Sequence, residues 1–279
     1  MGPVVTAAEA GGNMIAKTLT MIFVVAAGSA FAQQTTFETP EAAAQALIAA
    51  ASNNDTPGLT AVLGSSAKGL LTSGDAKQDE AERQEFAKIA NEKHHLEPSS
   101  MNSHVRIVLI GDQDWPFPVP LVEEGRRWRF DSARGAVEMH AREVGANELD
   151  AIEACAAYVG AQQSYAQQKR TAAGTQEYAE NIPSLQVPKE FAAAGTPNSA
   201  HPYHGYFFGV LKSGKHSYVA GNAMIGGFAI VAWPAKYGVT GVHTFIVNQD
   251  GVVYEKDRGV KPAAPVTRYD PDPSWMPVD

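Results

Sequence analysis

The chain has a single cysteine among its 279 residues, Cys155, so no internal disulfide can form and the fold must be held by packing. It has no basic tract. Its formal net charge of -8 makes it a poor ligand for nucleic acid or anionic lipid. Its clearest apolar run, Leu19 to Ala27, falls well short of the ~20 residues a membrane-spanning helix needs. It also lacks a G-x-S-x-G elbow, an H-E-x-x-H helix and a C-x-x-C pair, so no motif declares acyl transfer, zinc hydrolysis or dithiol exchange. No cofactor is implied.

What is there begins with an export signal. Met14-Ile15-Ala16-Lys17 gives a positively charged start, Leu19 to Ala27 an apolar centre, and Ala30-Phe31-Ala32 a small-x-small cleavage site before Gln33. Residues 1–32 therefore read as a signal peptide with an upstream extension, translation beginning at Met14. Cleavage leaves 279 − 32 = 247 residues, periplasmic or secreted in a bacterium, with no membrane span. No cysteine follows the cleavage site, which disfavours a lipid anchor. Cys155, among alanines on a helical pattern, reads as a buried structural thiol.

The remainder predicts an α+β protein of two domains and a tail. The first domain, 37–143, opens on a helix marked by Thr39 as N-cap, Pro40 in the first position and Glu41 in the first turn. Two short helical turns follow, at residues 59–63 and 67–71. Asp75 then caps a charged helix with an apolar stripe of Phe86, Ile89 and Ala90, which His94-His95 terminates. Alternation takes over at residues 104–111, 118–124 and 126–131, predicting antiparallel strands. Pro116, Pro118 and Pro120 remove donors from one side of the chain, a pattern suited to an edge strand.

The second domain, 145–260, begins with a helix capped at Asn147. Leu149, Ile152, Ala156, Val159 and Gln163 recur at helical spacing and predict its buried face. Residues 170–200 predict a loop-dominated connection. Strands are expected over 206–211, 216–221 and 226–235, then a hairpin turning at Asp250-Gly251. The prolines of residues 261–279 predict an extended tail.

Long motifs run through this pattern: GDQDWPFPVPLV, RRWRFD, the NELDAI helix with YVGAQQSYA, PYHGYFF, MIGGFAIVAWPAKYGVTGVHTFIVNQDGVVYEKD and YDPDPSW. They resemble the bacterial secreted family called domain of unknown function 2950. The resemblance implies export and a two-part architecture, without an established activity. The family pattern also implies an Asp-Gly-rich, calcium-like loop after the helix. Here residues 167–179 hold no aspartate, which argues against calcium at this place. The second half is similar in element order to type IV pilin-like and pseudopilin-like globular domains, a helix packed on an antiparallel sheet, but lacks their long apolar N-terminal helix. The first half is loosely similar to nuclear-transport-factor-2-like cones.

The best candidate site is HPYHGYFF. His201 and His204, three residues apart, suit a shared metal, an acid–base pair, or simple cover for the sheet. The last is preferred, because a metal needs a third ligand that the sequence does not single out. His243 shares a strand face with Phe245 and Val247 and reads as a satisfied, partly buried histidine. The stretch from Gly209 to His216 nearly spells a phosphate-binding loop, but it has histidine where serine or threonine belongs and no helix follows. The sequence thus favours a non-enzymatic binding or envelope-assembly module that takes an envelope protein or small ligand at His201, Tyr203, His204, Tyr206 and Trp233. The competing reading is a periplasmic hydrolase or metal-dependent enzyme using His201 and His204.

Overall fold

A computed structural model describes residues 34–100, 102–196 and 199–278, so the expected signal sequence lies outside the described residues. Helix α1 (Pro40–Ser52) starts as its sequence dictates: the Thr39 hydroxyl accepts the Ala42 amide at 3.1 Å, with proline in the first turn. Helices α2 (Thr56–Leu63) and α3 (Lys68–Leu71) follow. Asp75 caps α4 (Ala76–Glu92) by accepting the amides of Lys77 and Gln78.

The helix ends just before His94-His95 as expected, but the pair then opens strand β1 (His94–Ser99), which pairs with β2 (Asn102–Ile110) in an antiparallel hairpin. His94 Nδ1 stays 2.7 Å from the Ala90 carbonyl oxygen, so it does meet the helix end. The backbone beyond it takes a partner strand instead of another turn. Pro98 is tolerated because β1 is an edge.

The proline segment contributes only the two-residue β3 (Trp115–Pro116) against β2. Strands β4 (Leu121–Glu124) and β5 (Arg127–Phe130) complete a sheet ordered β1-β2-β4-β5, with β3 beside β2. Its core gathers Leu47, Leu59, Leu63, Val108, Leu121 and Phe130 between this sheet and the helices.

Helix α5 (Ser132–Gln168) is the largest departure from expectation. It runs 37 residues, about 55 Å at 1.5 Å per residue, and its cap is Asp131, whose carboxylate accepts the Arg134 amide. Asn147, the expected cap, lies inside it. The buried stripe matches the expected one only in part. Val159 is buried and Ile152 packs against the core as expected, but Leu149 is 65% exposed, Ala156 and Gln163 are exposed, and Ala151, Ala154, Cys155, Tyr158 and Gln162 complete the buried face. Buried Gln162 closes two hydrogen bonds with the Ala179 backbone, its amide donating to Ala179 O and its carbonyl accepting from Ala179 N, each 2.8 Å.

After α5 the connection is largely irregular, with helix α6 (Lys189–Ala194) within it. A second antiparallel sheet follows, built from β6 (Tyr206–Leu211), β9 (Ala229–Pro234), β10 (His243–Asn248), β11 (Tyr254–Asp257) and β12 (Met276–Pro277) in the order β12-β11-β10-β9-β6. The stretch 216–221 does not join this sheet. It forms β7 (Val219–Ala220), which pairs only with β8 (Ala223–Met224). Beside it, Gly226 and Gly227 leave the space that buried Tyr218 occupies. The tail is anchored more firmly than an extended surface strand would be. Trp275 is buried beneath Lys256, whose ammonium lies 5.6 Å from the ring centroid, and β12 extends the sheet.

Cys155 is fully buried in this second core, as expected, and burial pushes its thiol up to about 12. Ellman's reagent at pH 8 should therefore leave the native thiol unmodified and react fully after denaturation. Rapid modification of the native protein would contradict this burial.

Candidate functional site

Three of the residues chosen from sequence, Tyr203, His204 and Tyr206, meet at a joint between α5 and the second sheet. His204 and Gly205 both have positive φ, 46° and 74°, and Tyr203 and Tyr206 exchange two backbone bonds of 2.9 Å around them. This is a type I′ turn, in which the first central residue would ordinarily be asparagine, aspartate or glycine. The left-handed histidine at that place is held by Asp150 of α5, whose Oδ2 lies 2.7 Å from His204 Nδ1. Tyr203 stacks edge-on against the imidazole at 4.3 Å and leans on Phe191 of α6.

One turn of α5 away, Asn147 donates its side-chain amide to Thr240 O at 3.1 Å. Glu148 is the centre of the joint. Its Oε1 accepts the amides of Val242 at 2.8 Å and His243 at 2.9 Å, and its two oxygens lie 3.2 and 3.3 Å from His243 Nδ1. Tyr206, fully buried, donates its hydroxyl to His243 O at 3.0 Å. Burial raises the Tyr206 phenol well above its usual range, and the Glu148 carboxylate beside it adds to the shift. Three separate sequence motifs, NELD, PYHGY and GVTGVH, thus interlock at one place.

The five sequence-selected residues do not share a surface. Tyr203, His204 and Tyr206 come together, but Tyr206 is interior and offers a partner nothing, which corrects its reading as a binding residue. Trp233 pairs in register with Phe207, one residue out of phase with Tyr206, and so stands on the opposite face of the sheet. There its ring lies over Gly209, whose missing side chain leaves the indole room. His201 is exposed in the approach, with its amide bonded to Ser199 Oγ. His204 and His243 each have their own carboxylate partner, Asp150 and Glu148. Among the described residues, no group of three or more histidine, cysteine, aspartate or glutamate side chains is placed to hold a metal ion.

The arrangement pins a long helix to two turns of a sheet through part-buried polar groups that bond one another. Glu148 reaches two backbone donors, an imidazole and a phenol.

A different place has the form of a ligand site. A pocket of about 430 Å³ opens in the first half, walled by Leu47 of α1, Leu59 and Leu63 of α2, Phe86 of α4, and Phe117 and Val119 of the proline segment. Phe117 is its aromatic hub, with ring centroids 5.5 Å from Phe86, 6.1 Å from Phe130 and 6.5 Å from Trp115. Trp115, 47% exposed, stands at the rim, where the Arg142 guanidinium lies 5.5 Å from its centroid and donates to Pro116 O. Small-molecule sites are concave, mostly apolar and about 300–1,000 Å³ in volume, and this pocket fits that description. Sequence reasoning missed it. Its walls come from α1 to α4, residues 115–119 and Met139 of α5, and the only local sign was the proline pattern that keeps Phe117 and Trp115 out of a regular strand.

The polar end of the pocket holds Asp79, Glu82 and Arg83 of α4. Asp79 Oδ1 accepts the Ser73 hydroxyl at 2.6 Å and the Ser73 amide at 2.9 Å, and these bonds hold the carboxyl below its usual range.

Both halves belong to one described group of proteins. The chain is a member of the family described as Protein of unknown function (DUF2950), whose model matches residues 34–190 and 184–278. Compared with the curated proteins and with the solved structures, the chain matches none. The likenesses to pilin-like domains and to nuclear-transport-factor-2-like cones therefore rest on element order in the sequence.

Proposed function

We propose that this chain is an exported, non-enzymatic binding module of the bacterial envelope whose ligand enters the pocket between α1, α2, α4 and residues 115–119. The observation that carries the reading is the pocket itself, an apolar concavity with an exposed tryptophan at its rim and a single cluster of charged groups at one end. Export follows from the signal pattern at 1–32. The histidine and carboxylate groups near residue 204, which would serve an enzyme, are taken up in joining α5 to the sheet. Such a protein would carry or sense a small apolar molecule or the apolar side chains of an envelope partner.

The neutral fluorophore 1-N-phenylnaphthylamine tests this. Its emission should rise saturably with one site per chain, with concurrent quenching or shift of Trp115. Gly69 lines the pocket, and a Cβ added there meets nothing within 4 Å, so Gly69→Phe adds bulk without a built-in clash. That variant should weaken probe binding at least about tenfold, the scale of one lost apolar group or more, with its unfolding midpoint unchanged. Absence of saturable binding to the wild-type chain would sink the proposal.

A further inference from the structure

Charged side chains are rare in a pocket this apolar, and their hydrogen bonds decide what the pocket can recognise. Asp79 lies in the first turn of α4, where the helix N-terminus favours negative charge, and its Oδ1 is turned to Ser73. Glu82 stands exposed at the rim and accepts the Gln78 side-chain amide at 2.9 Å. Asp79 is therefore held chiefly by Ser73, and Glu82 by Gln78 and solvent.

Arg83 is held differently. Its Nε donates to Asn54 Oδ1 at 2.7 Å and its Nη1 to Leu71 O at 3.3 Å, both neutral acceptors. Of the five N–H groups a guanidinium carries, the others have no acceptor among the described residues, and Arg83 forms no ion pair there. Asn54 and Leu71 fix the guanidinium plane from two sides, and Asn54 holds its own place with a positive φ of 50°. A rigid, partly buried fork of donors beside aliphatic and aromatic walls is suited to a planar, two-oxygen anion.

We infer that the pocket binds a small apolar molecule bearing one carboxylate, its hydrocarbon body against Phe86, Phe117, Leu59 and Leu63 and its carboxylate on the guanidinium of Arg83. This rests on the reading of the pocket as a ligand site and adds the chemistry of the ligand's head group. The pocket volume of about 430 Å³ matches a free acid of modest size and not a folded partner. The carboxylate would replace water on the unengaged guanidinium N–H groups, an exchange favoured by the apolar surroundings.

Calorimetric titration of the full chain with octanoate, octanol and octylamine decides it, since the three share a tail and differ in head group. Octanoate should bind about tenfold more tightly than octanol, as expected for a charge-assisted hydrogen bond, and octylamine most weakly. In Arg83→Met, octanoate should fall to the octanol value while octanol binds as in wild type, which also shows the pocket intact. Arg83→Lys should retain part of the preference. Equal binding of octanoate and octanol, or tighter binding of octylamine through Asp79 and Glu82, overturns the head-group inference and leaves the ligand-site reading standing. Binding of none of the three removes both. The wild-type series needs no variant, so an Arg83 substitution that failed to fold would not rescue the inference.

Discussion

Replacing Gly241 by alanine is expected to destabilise the protein by about 2–4 kcal/mol, read as a lowered midpoint in urea with an unchanged slope. A Cβ at this position would stand 2.0 Å from the Tyr206 hydroxyl oxygen and 2.5 Å from the ring carbon that bears it, far inside contact distance. The ring cannot yield. It is fully buried, Phe245 packs against it with centroids 5.8 Å apart, and its hydroxyl is tied to His243 O. Either the turn or the tyrosine must move, so an overpacking strain of ~1–3 kcal/mol is joined by the loss of a buried hydrogen bond of ~1 kcal/mol. Tyr206→Leu in the same chain should recover part of the loss, because the two changes share one clash and cannot be additive. An alanine variant within about 0.5 kcal/mol of wild type would contradict the packing described for this joint.

The second large effect is expected at Glu148. Glu148→Ala leaves the amides of Val242 and His243 without their acceptor in a half-buried place and frees the His243 ring, at an expected cost of about 3 kcal/mol. Glu148→Gln keeps a side-chain carbonyl that can accept both amides, and should cost about half as much. Hydrogen exchange gives the local readout: the Val242 and His243 amides should exchange faster in Glu148→Ala and remain protected in Glu148→Gln. If the two variants proved equally stable and equally protected, the carboxylate would not be the acceptor that organises the joint. By contrast, the His204–Asp150 pair is about half exposed on both sides, so its removal should be worth only a few tenths of a kcal/mol to ~1 kcal/mol.

These two residues show how the sequence misleads and informs at once. The motifs NELD, PYHGY and GVTGVH stood out as dense polar and glycine-rich words, and the sequence reading looked for chemistry in the histidines. The structure joins the words through Glu148, a residue with no local mark, because a carboxylate's meaning lies in donors 94 and 95 residues further along the chain. His243 was legible as a satisfied, partly buried histidine, since strand alternation alone sets its face with Phe245. Trp233 was not, because its face depends on the register of β9 with β6, and one residue of phase moves a side chain to the other side of the sheet.

The candidate pocket was illegible for a related reason. Its aromatic hub, Phe117, sits in a proline-rich stretch with no regular period, and its other walls come mostly from helices up to 70 residues earlier, Leu47 among them. Arg83 read as one more charge on a solvated helix. Only its approach to Asn54 and Leu71 distinguishes it from its neighbours.

What the sequence alone determined is what depends on near neighbours. The caps Thr39 and Asp75 satisfy amides two or three residues away. The Asp250-Gly251 turn needs only the positive φ of Gly251, 80°, to reverse β10 into β11. The α+β composition and the burial of the single cysteine follow from hydrophobic periodicity and residue type. Tertiary structure decided the rest. It extended the helix expected from Asn147 back to Ser132, where Gly135 packs against Val119. It set which residues flanking Val159 on α5 turn inward, carried His94 and His95 from a helix end into a strand, and brought Glu148 to its donors. Each of these is fixed by partners far along the chain, whose positions no local pattern of side chains encodes.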